Sequence, residues 1–341
     1  MRFICYGNDL KFGSEVNMSS KILPFEKSPM FKTFQYLAYL FGILEASPHT
    51  LPWICCNFIF CFPFNFDEAD IWMSHEKILI REIICEDPKK LNYSSFIDLI
   101  KSNIDSNYYI SGIFNEFYIP QKIFDKPRNN AHDYLLTGYN DDEKVFYSHG
   151  HLPSSVFGEY EINYEDFYKS VIDNNINNIV YRMKLNPDKK FEFSLIKFSD
   201  QLYMYLKQPL LFVAEPANDG CSGVSSWKLL KKHIIEVRDT DSWLDMKYCR
   251  FIYEHRHHIL TSLEYIKGKY SFLKDQYIEY KFFCEQVTIF FNLSLKYNML
   301  KDEKIFKKLI FMTKELYNEE CKILSAVLTK ALVFGNKSFP F

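Results

Sequence analysis

Apolar side chains recur at helical spacing near the start of the chain and then give way to a shorter pattern typical of strands. The first series predicts a buried helix that ends before Ser47-Pro48, because the residue before a proline avoids the helical region; its members are Phe31, Phe34, Leu37, Leu40, Phe41 and Leu44. Residues 94–104 predict a second helix, with Ser94 or Ser95 as the N-cap.

Two aromatic and β-branched segments follow, and the second of them has polar residues at both of its ends. Residues 108–114 read as a strand. Residues 132–149 read as a hairpin, in which His132 opens a buried strand that runs through a tight turn into the strand 145–149. A capped helix at 163–173 and a last strand at 178–185 complete this half of the chain.

From about residue 191 the pattern changes to long helices. We expect them near 194–207, 227–237, 241–266, 271–298 and 301–333. The Asn, Asp, Gly and Ser residues at 218–223 predict a loop. We therefore expect an α+β catalytic domain over residues 1–190 and a helical domain over residues 191–341.

Composition narrows the classes of partner. The chain has 341 residues, with 41 basic and 43 acidic side chains, so we expect neither nucleic acid nor a membrane as a partner. The longest apolar run contains Pro52 and Pro63 and is too short to span a bilayer. No secretory signal is recognisable, so a cytoplasmic location is expected. Nine cysteines without CxxC spacing argue against disulfides and structural zinc.

The thiols are the first candidates for chemistry. A papain-type site needs a thiolate at the N-terminal end of a helix and a histidine that moves its proton. Cys55 and Cys56 follow Pro52-Trp53, a plausible helix start upstream of the histidine strand, so one of them is the candidate nucleophile. The alternative is that both are packing thiols. Cys5 and then Cys221 are the next candidates.

His132 is the candidate base, although a core histidine bound to a carbonyl is the alternative. Papain-type enzymes carry the group that orients this ring on the following strand. That strand ends here in Ser148-His149, without a carboxylate, so His149 or Ser148 is the expected orienting residue.

A metal site and nucleotide chemistry receive little support. His255 and His258 lie one turn apart on a predicted helix, but no third ligand is suggested nearby. Phosphate loops, GxGxxG and HExxH motifs do not occur. We expect no metal and no cofactor.

Several segments together resemble the butirosin biosynthesis protein H-like family, papain-fold acyltransferases of bacterial secondary metabolism. The similar segments are Phe96–Ile100, Tyr109–Ile113, Tyr118–Pro120, Ala131–Asp133, Thr137–Asp141, Ile162–Phe167 and Phe251–Leu260. The resemblance implies a papain-like fold in which His132 matches the base.

The resemblance also implies a reaction. An acyl group would pass from a carrier-protein phosphopantetheine thioester through the cysteine to a small amine, forming an amide in peptide-like natural product assembly. A polythioamide pathway is one variant. The expected partners are an acyl or peptidyl carrier protein and the amine, with self-association into a homodimer left open. Two alternatives remain: a peptidase or amidase with the same cysteine–histidine pair, and an inactive papain-like scaffold that binds a carrier protein or peptide.

Overall fold

The protein is α+β, with an antiparallel sheet in its first half and helices throughout its second. A computed structural model describes residues 19–60, 78–122, 129–153, 156–173, 179–207 and 223–337. The predicted α+β class and the helical C-terminal half are confirmed within these residues. The loop expected at 218–223 lies almost wholly outside them.

The sheet of the described residues has seven strands. They are β1 (Ser20–Ile22), β2 (Leu79–Cys85), β3 (Tyr109–Asn115), β4 (Ala131–Asn140), β5 (Val145–His151), β6 (Phe157–Asn163) and β7 (Val180–Leu185). Their order is β2-β7-β3-β4-β5-β6, and β1 pairs with the far end of β4. The strand β4 is therefore central, bonded to β3 and β1 on one side and to β5 on the other.

The predicted hairpin is confirmed as β4 and β5. Its turn is closed by the Asn140 side chain, whose oxygen accepts from the backbone N–H of Asp142 at 2.9 Å. The register of the two strands shifts between Leu136 and Gly138. A Cβ at Gly138 would lie 2.4 Å from the carbonyl oxygen of Lys21, so β1 can approach β4 this closely only beside a glycine.

The described part of the first half contains four α-helices: α1 (Gln35–Glu45), α2 (Leu51–Ile54), α3 (Tyr93–Asp105) and α4 (Tyr164–Ile172). The helix predicted before Ser47 is confirmed as α1. The N-cap of α3 is Asn92, whose side chain accepts from the backbone N–H of Ser95, so the expected serine cap is wrong. Asn163 caps α4 in the same way.

Five helices make up the described part of the second half, as predicted. They are α5 (Leu195–Lys207), α6 (Ser226–Asp239), α7 (Met246–Lys269), α8 (Lys274–Leu300) and α9 (Glu303–Lys337). Each has a residue at one buried polar cluster around the Glu320 carboxylate, which accepts hydrogen bonds from Tyr205, Trp227, Arg256 and Tyr280 at 2.7–3.1 Å. Within the described part of the chain, none of the helices has an apolar stretch of the length that spanning a bilayer requires.

The two halves share a packed seam. Phe251 of α7 packs in one apolar cluster with Phe31 and Phe41 from around α1. Beside it, the buried Glu254 carboxylate accepts from the Thr33 hydroxyl at 2.8 Å and from its backbone N–H at 3.1 Å. Burial raises the pKa of Glu254 to about 7. The start of α1 is thus held directly by the helical half.

Candidate functional site

His132 lies on the wall of a cavity between the two halves of the chain. It is the second residue of β4, and its side chain is 38% exposed. The cavity has a volume of about 580 Å³, within the range of small-molecule sites. Its lining comes from the start of α1, the start of β4, the end of β5 and the helices α7 and α8. Lys247, Arg250, Phe291 and Leu295 are among the residues that α7 and α8 contribute. The predicted base is therefore accessible to a ligand.

The carboxylate that orients His132 is its chain neighbour. Asp133 Oδ1 lies 2.6 Å from His132 Nδ1. A carboxylate can only accept here, so Nδ1 carries the hydrogen in this arrangement and Nε2 is left as the basic nitrogen. The hydrogen bond to Asp133 raises the pKa of His132 above its ordinary value. The pair has the chemistry of a general base.

Gln35 fixes this pair from the first position of α1. Its Nε2 donates to the Asp133 carbonyl oxygen at 2.7 Å and lies 3.2 Å from Asp133 Oδ1 and 3.1 Å from His132 Nδ1. Its Oε1 accepts from the backbone N–H of His151 at 2.9 Å. The residue is only 5% exposed. The amide thus ties the start of β4 to the end of β5.

The position of Gln35 is informative. It is the residue at the N-terminal end of a buried helix that meets the histidine, which is where a papain-type site needs its thiolate. Gln35 is not among the residues predicted from the sequence, although a glutamine at the start of a largely apolar helix was a visible signal. A buried polar side chain in such a helix requires hydrogen-bond partners, and here they are Asp133 and the backbone N–H of His151.

A second layer of polar groups supports the pair. Tyr39 donates to the carbonyl oxygen of His149 at 3.0 Å and lies 3.3 Å from that of Asp133. Lys122, which is buried, donates to the His151 carbonyl oxygen at 2.7 Å. Burial lowers the pKa of Lys122. These contacts hold the backbone around the His132–Asp133 pair.

His149 occupies a different environment from the one expected. It is 1% exposed, stacks on Phe25 at 4.1 Å between ring centroids, and has Nε2 3.3 Å from Thr137 Oγ1. Burial lowers its pKa to about 4. Ser148 donates to the Leu135 carbonyl oxygen. The orienting contact expected from His149 or Ser148 is made instead by Asp133.

The structure corrects the local setting of Cys55 and Cys56. The helix α2 is a single turn, and Cys55 is its C-cap, so the expectation that the two thiols lie at a helix start is wrong. Both are 0% exposed. Burial raises the pKa of Cys55 to about 12, and Cys56 Sγ donates to the Trp53 carbonyl oxygen. This environment favours neutral packing thiols.

The remaining thiol candidates, Cys5 and Cys221, lie outside the described residues. The histidines of the weak metal pattern are buried in the seam. His255 Nε2 donates to the Ile59 carbonyl oxygen at 3.0 Å, and His258 Nε2 donates to that of Asn57 at 2.8 Å. Burial lowers the pKa of His258 to about 4. Both side chains therefore anchor the segment after α2.

Comparison with known proteins leaves the family open. The chain matches no protein-family model, and no curated protein matches it significantly. The resemblance described from the sequence thus remains a hypothesis that rests on its own residues.

Proposed function

We propose that this protein is an acyltransferase, with His132 as the general base, that moves an acyl group from a thioester directly to an amine. The observation that carries the proposal is the His132–Asp133 pair, joined at 2.6 Å and facing a cavity. The donor would be the phosphopantetheine thioester of an acyl or peptidyl carrier protein, and the acceptor a small amine. These substrate classes come from the resemblance to the butirosin biosynthesis protein H-like family.

The reaction can proceed without a covalent enzyme intermediate. His132 Nε2 takes a proton from the amine as its nitrogen attacks the thioester carbonyl. The C–N bond forms, the C–S bond breaks, and the thiolate that leaves recovers the proton from the imidazolium. Lys247 and Arg250 place positive charge on the cavity wall, where it can stabilise the oxyanion.

This proposal revises the covalent route expected from the sequence. An amide nitrogen is not a competent nucleophile, and Gln35 occupies the helix start beside His132. The arrangement of α1 against a strand that begins near its histidine supports a papain-like fold. We propose that fold with the thiol step absent and the base retained.

A second candidate function is binding without chemistry. It is favoured by the same Gln35, because a site whose nucleophile position is filled by a fixed amide can still hold a thioester or peptide. Water as the acceptor would make the same dyad a hydrolase. Product analysis separates the three: amide for the transferase, free acid for the hydrolase, and unchanged ligand for the binding protein.

The Cys55→Ala/Cys56→Ala protein is expected to keep amide formation within about 3-fold of the wild-type rate, because neither thiol carries the acyl group. The measurement is mass spectrometry of the products from an acyl N-acetylcysteamine thioester and a primary amine. Intact-protein mass spectrometry on the same samples should detect no acyl adduct. An acyl-cysteine adduct, or abolished turnover in a folded variant, would restore the covalent mechanism.

The rate is expected to fall as the pH drops through the pKa of His132, because only neutral Nε2 can accept a proton. That pKa lies above the ordinary histidine value of 6.5, mainly through the hydrogen bond to Asp133. Asp133→Asn removes this effect and leaves burial, which lowers the pKa, so the inflection should move to lower pH and the plateau rate should fall.

The matched control is Asp142→Asn in the exposed turn of the same hairpin, which should leave the pH profile unchanged. Superimposable profiles for Asp133→Asn and the wild type would show that Asp133 does not set the protonation of the base.

A further inference from the structure

A second cavity lies beside the first, between α1 and the sheet. Its volume is about 390 Å³, and Leu37, Leu40, Leu79 and Met183 give it a largely apolar wall. Pockets of about 300–1,000 Å³ hold small-molecule ligands. This cavity is therefore large enough for an organic group, and its wall suits an apolar one.

The two cavities meet beside the His132–Asp133 pair. Tyr36 and Asp133 line both of them. Asp133 in turn contacts the ring of His132. A substrate whose reacting carbonyl lies beside His132 in the first cavity can thus extend its remaining chain past Asp133 into the second.

Ser111 is a polar residue on this largely apolar wall. Ser111, in the middle of β3, is 6% exposed, and its hydroxyl has no hydrogen-bond partner among the described residues. Buried hydroxyl groups are normally paired, because an unpaired one costs stability. Since Ser111 lines the second cavity, a ligand there is the natural partner.

The sheet register gives the distance from the dyad. Asp133 is opposite Ile113, and Ser111 is two residues further along β3. Such diagonal neighbours lie roughly 7–8 Å apart. That distance corresponds to about two extended peptide units, or about six chain atoms.

We propose that the second cavity binds the acyl group of the donor and that Ser111 selects an acyl group with a hydrogen-bonding substituent about six chain atoms from the reacting carbonyl. This inference rests on the proposed function and adds a substrate preference to it. Unsubstituted chains of the same length would still bind, but they would leave the Ser111 hydroxyl unpaired.

The test uses amide analogues of N-acetylcysteamine thioesters, in which NH replaces sulfur, so that binding is measured without reaction. By isothermal titration calorimetry, the 6-hydroxyhexanoyl analogue should bind the wild-type protein about 2- to 12-fold more tightly than the hexanoyl analogue, the value of one neutral hydrogen bond. Ser111→Ala should remove this preference. Ser111→Leu, which fills the cavity, should weaken both ligands at least about 10-fold.

Ser102→Leu on the exposed face of α3 is the matched control and should bind both analogues as the wild type does. Circular dichroism checks the fold of each variant, and the Ser111→Ala result stands if Ser111→Leu does not fold. The proposal would be overturned if the wild type bound the two analogues equally tightly, or if Ser111→Ala kept the wild-type preference for the hydroxylated one.

The two proposals fail in different ways. If binding depends on Ser111 but no amide forms, the proposed acyltransferase activity is wrong and the proposed acyl-binding role of the second cavity stands. If Ser111→Leu forms amides with the same acyl preference as the wild type, the proposed role of the second cavity is wrong and the proposed acyltransferase activity stands.

Discussion

Replacing Glu320 by alanine is expected to lower the free energy of unfolding by about 3–5 kcal/mol, because it leaves the buried Arg256 guanidinium without its counter-charge. Glu320 is 0% exposed and lies 3.1 Å from Arg256. The change also removes the acceptor of three neutral donors: Tyr205, Trp227 and Tyr280. All five long helices lose a shared contact.

Urea unfolding followed by circular dichroism measures this effect. The matched control is Glu319→Ala, one residue earlier on the exposed face of α9, which should change stability by less than about 0.5 kcal/mol. Glu320→Gln should fall between the two, because it keeps an acceptor and loses the charge. A loss below about 1 kcal/mol for Glu320→Ala would show that the helices do not depend on this cluster.

Replacing His132 by alanine is expected to lower the rate of amide formation roughly 10²–10⁴-fold, the usual contribution of a positioned general base. The side chain is partly exposed at the cavity wall, so the variant should keep the wild-type melting temperature within a few degrees. Exogenous imidazole should recover part of the lost rate, because it can enter the space that the ring vacates.

Rescue by imidazole separates catalysis from packing, since a structural histidine would not respond to a free base. His49→Ala, at an exposed position outside the cavity lining, is the control and should retain the wild-type rate. Full activity of His132→Ala without imidazole would exclude His132 as the base and leave ligand binding as the role of the cavity.

Much of the fold could be predicted from hydrophobic periodicity, because most elements bury one continuous face. The five long helices and the β4–β5 hairpin follow this rule. The strand β6 was missed although exposed Glu159 and Glu161 alternate with buried Tyr160 and Ile162. The strand β2 lacks such alternation, because it is an edge strand with three exposed residues in a row.

The site was predicted only in part. His132 was identified because it opens a buried strand, but its partners depend on tertiary contacts. A contact with Asp133 is not predicted by the sequence, since successive side chains on a strand normally point to opposite faces. Gln35 lies 97 positions from His132 in the chain, and no local pattern joins them. The end of α2 after one turn likewise could not be read from Pro52, which indicates where a helix starts and not how long it runs.

The hydrogen bonds of His255 and His258 between the two halves also bear on how cooperatively the protein unfolds. The carbonyl groups of Asn57 and Ile59 accept hydrogen bonds from histidines of α7, and the Thr33 hydroxyl donates to Glu254 of the same helix. A fragment ending at residue 190 would lose these partners and expose the apolar cluster around Phe31 to water. Because these contacts join the residues on either side of position 191, we expect the sheet and the helices to lose their structure together when the protein is unfolded.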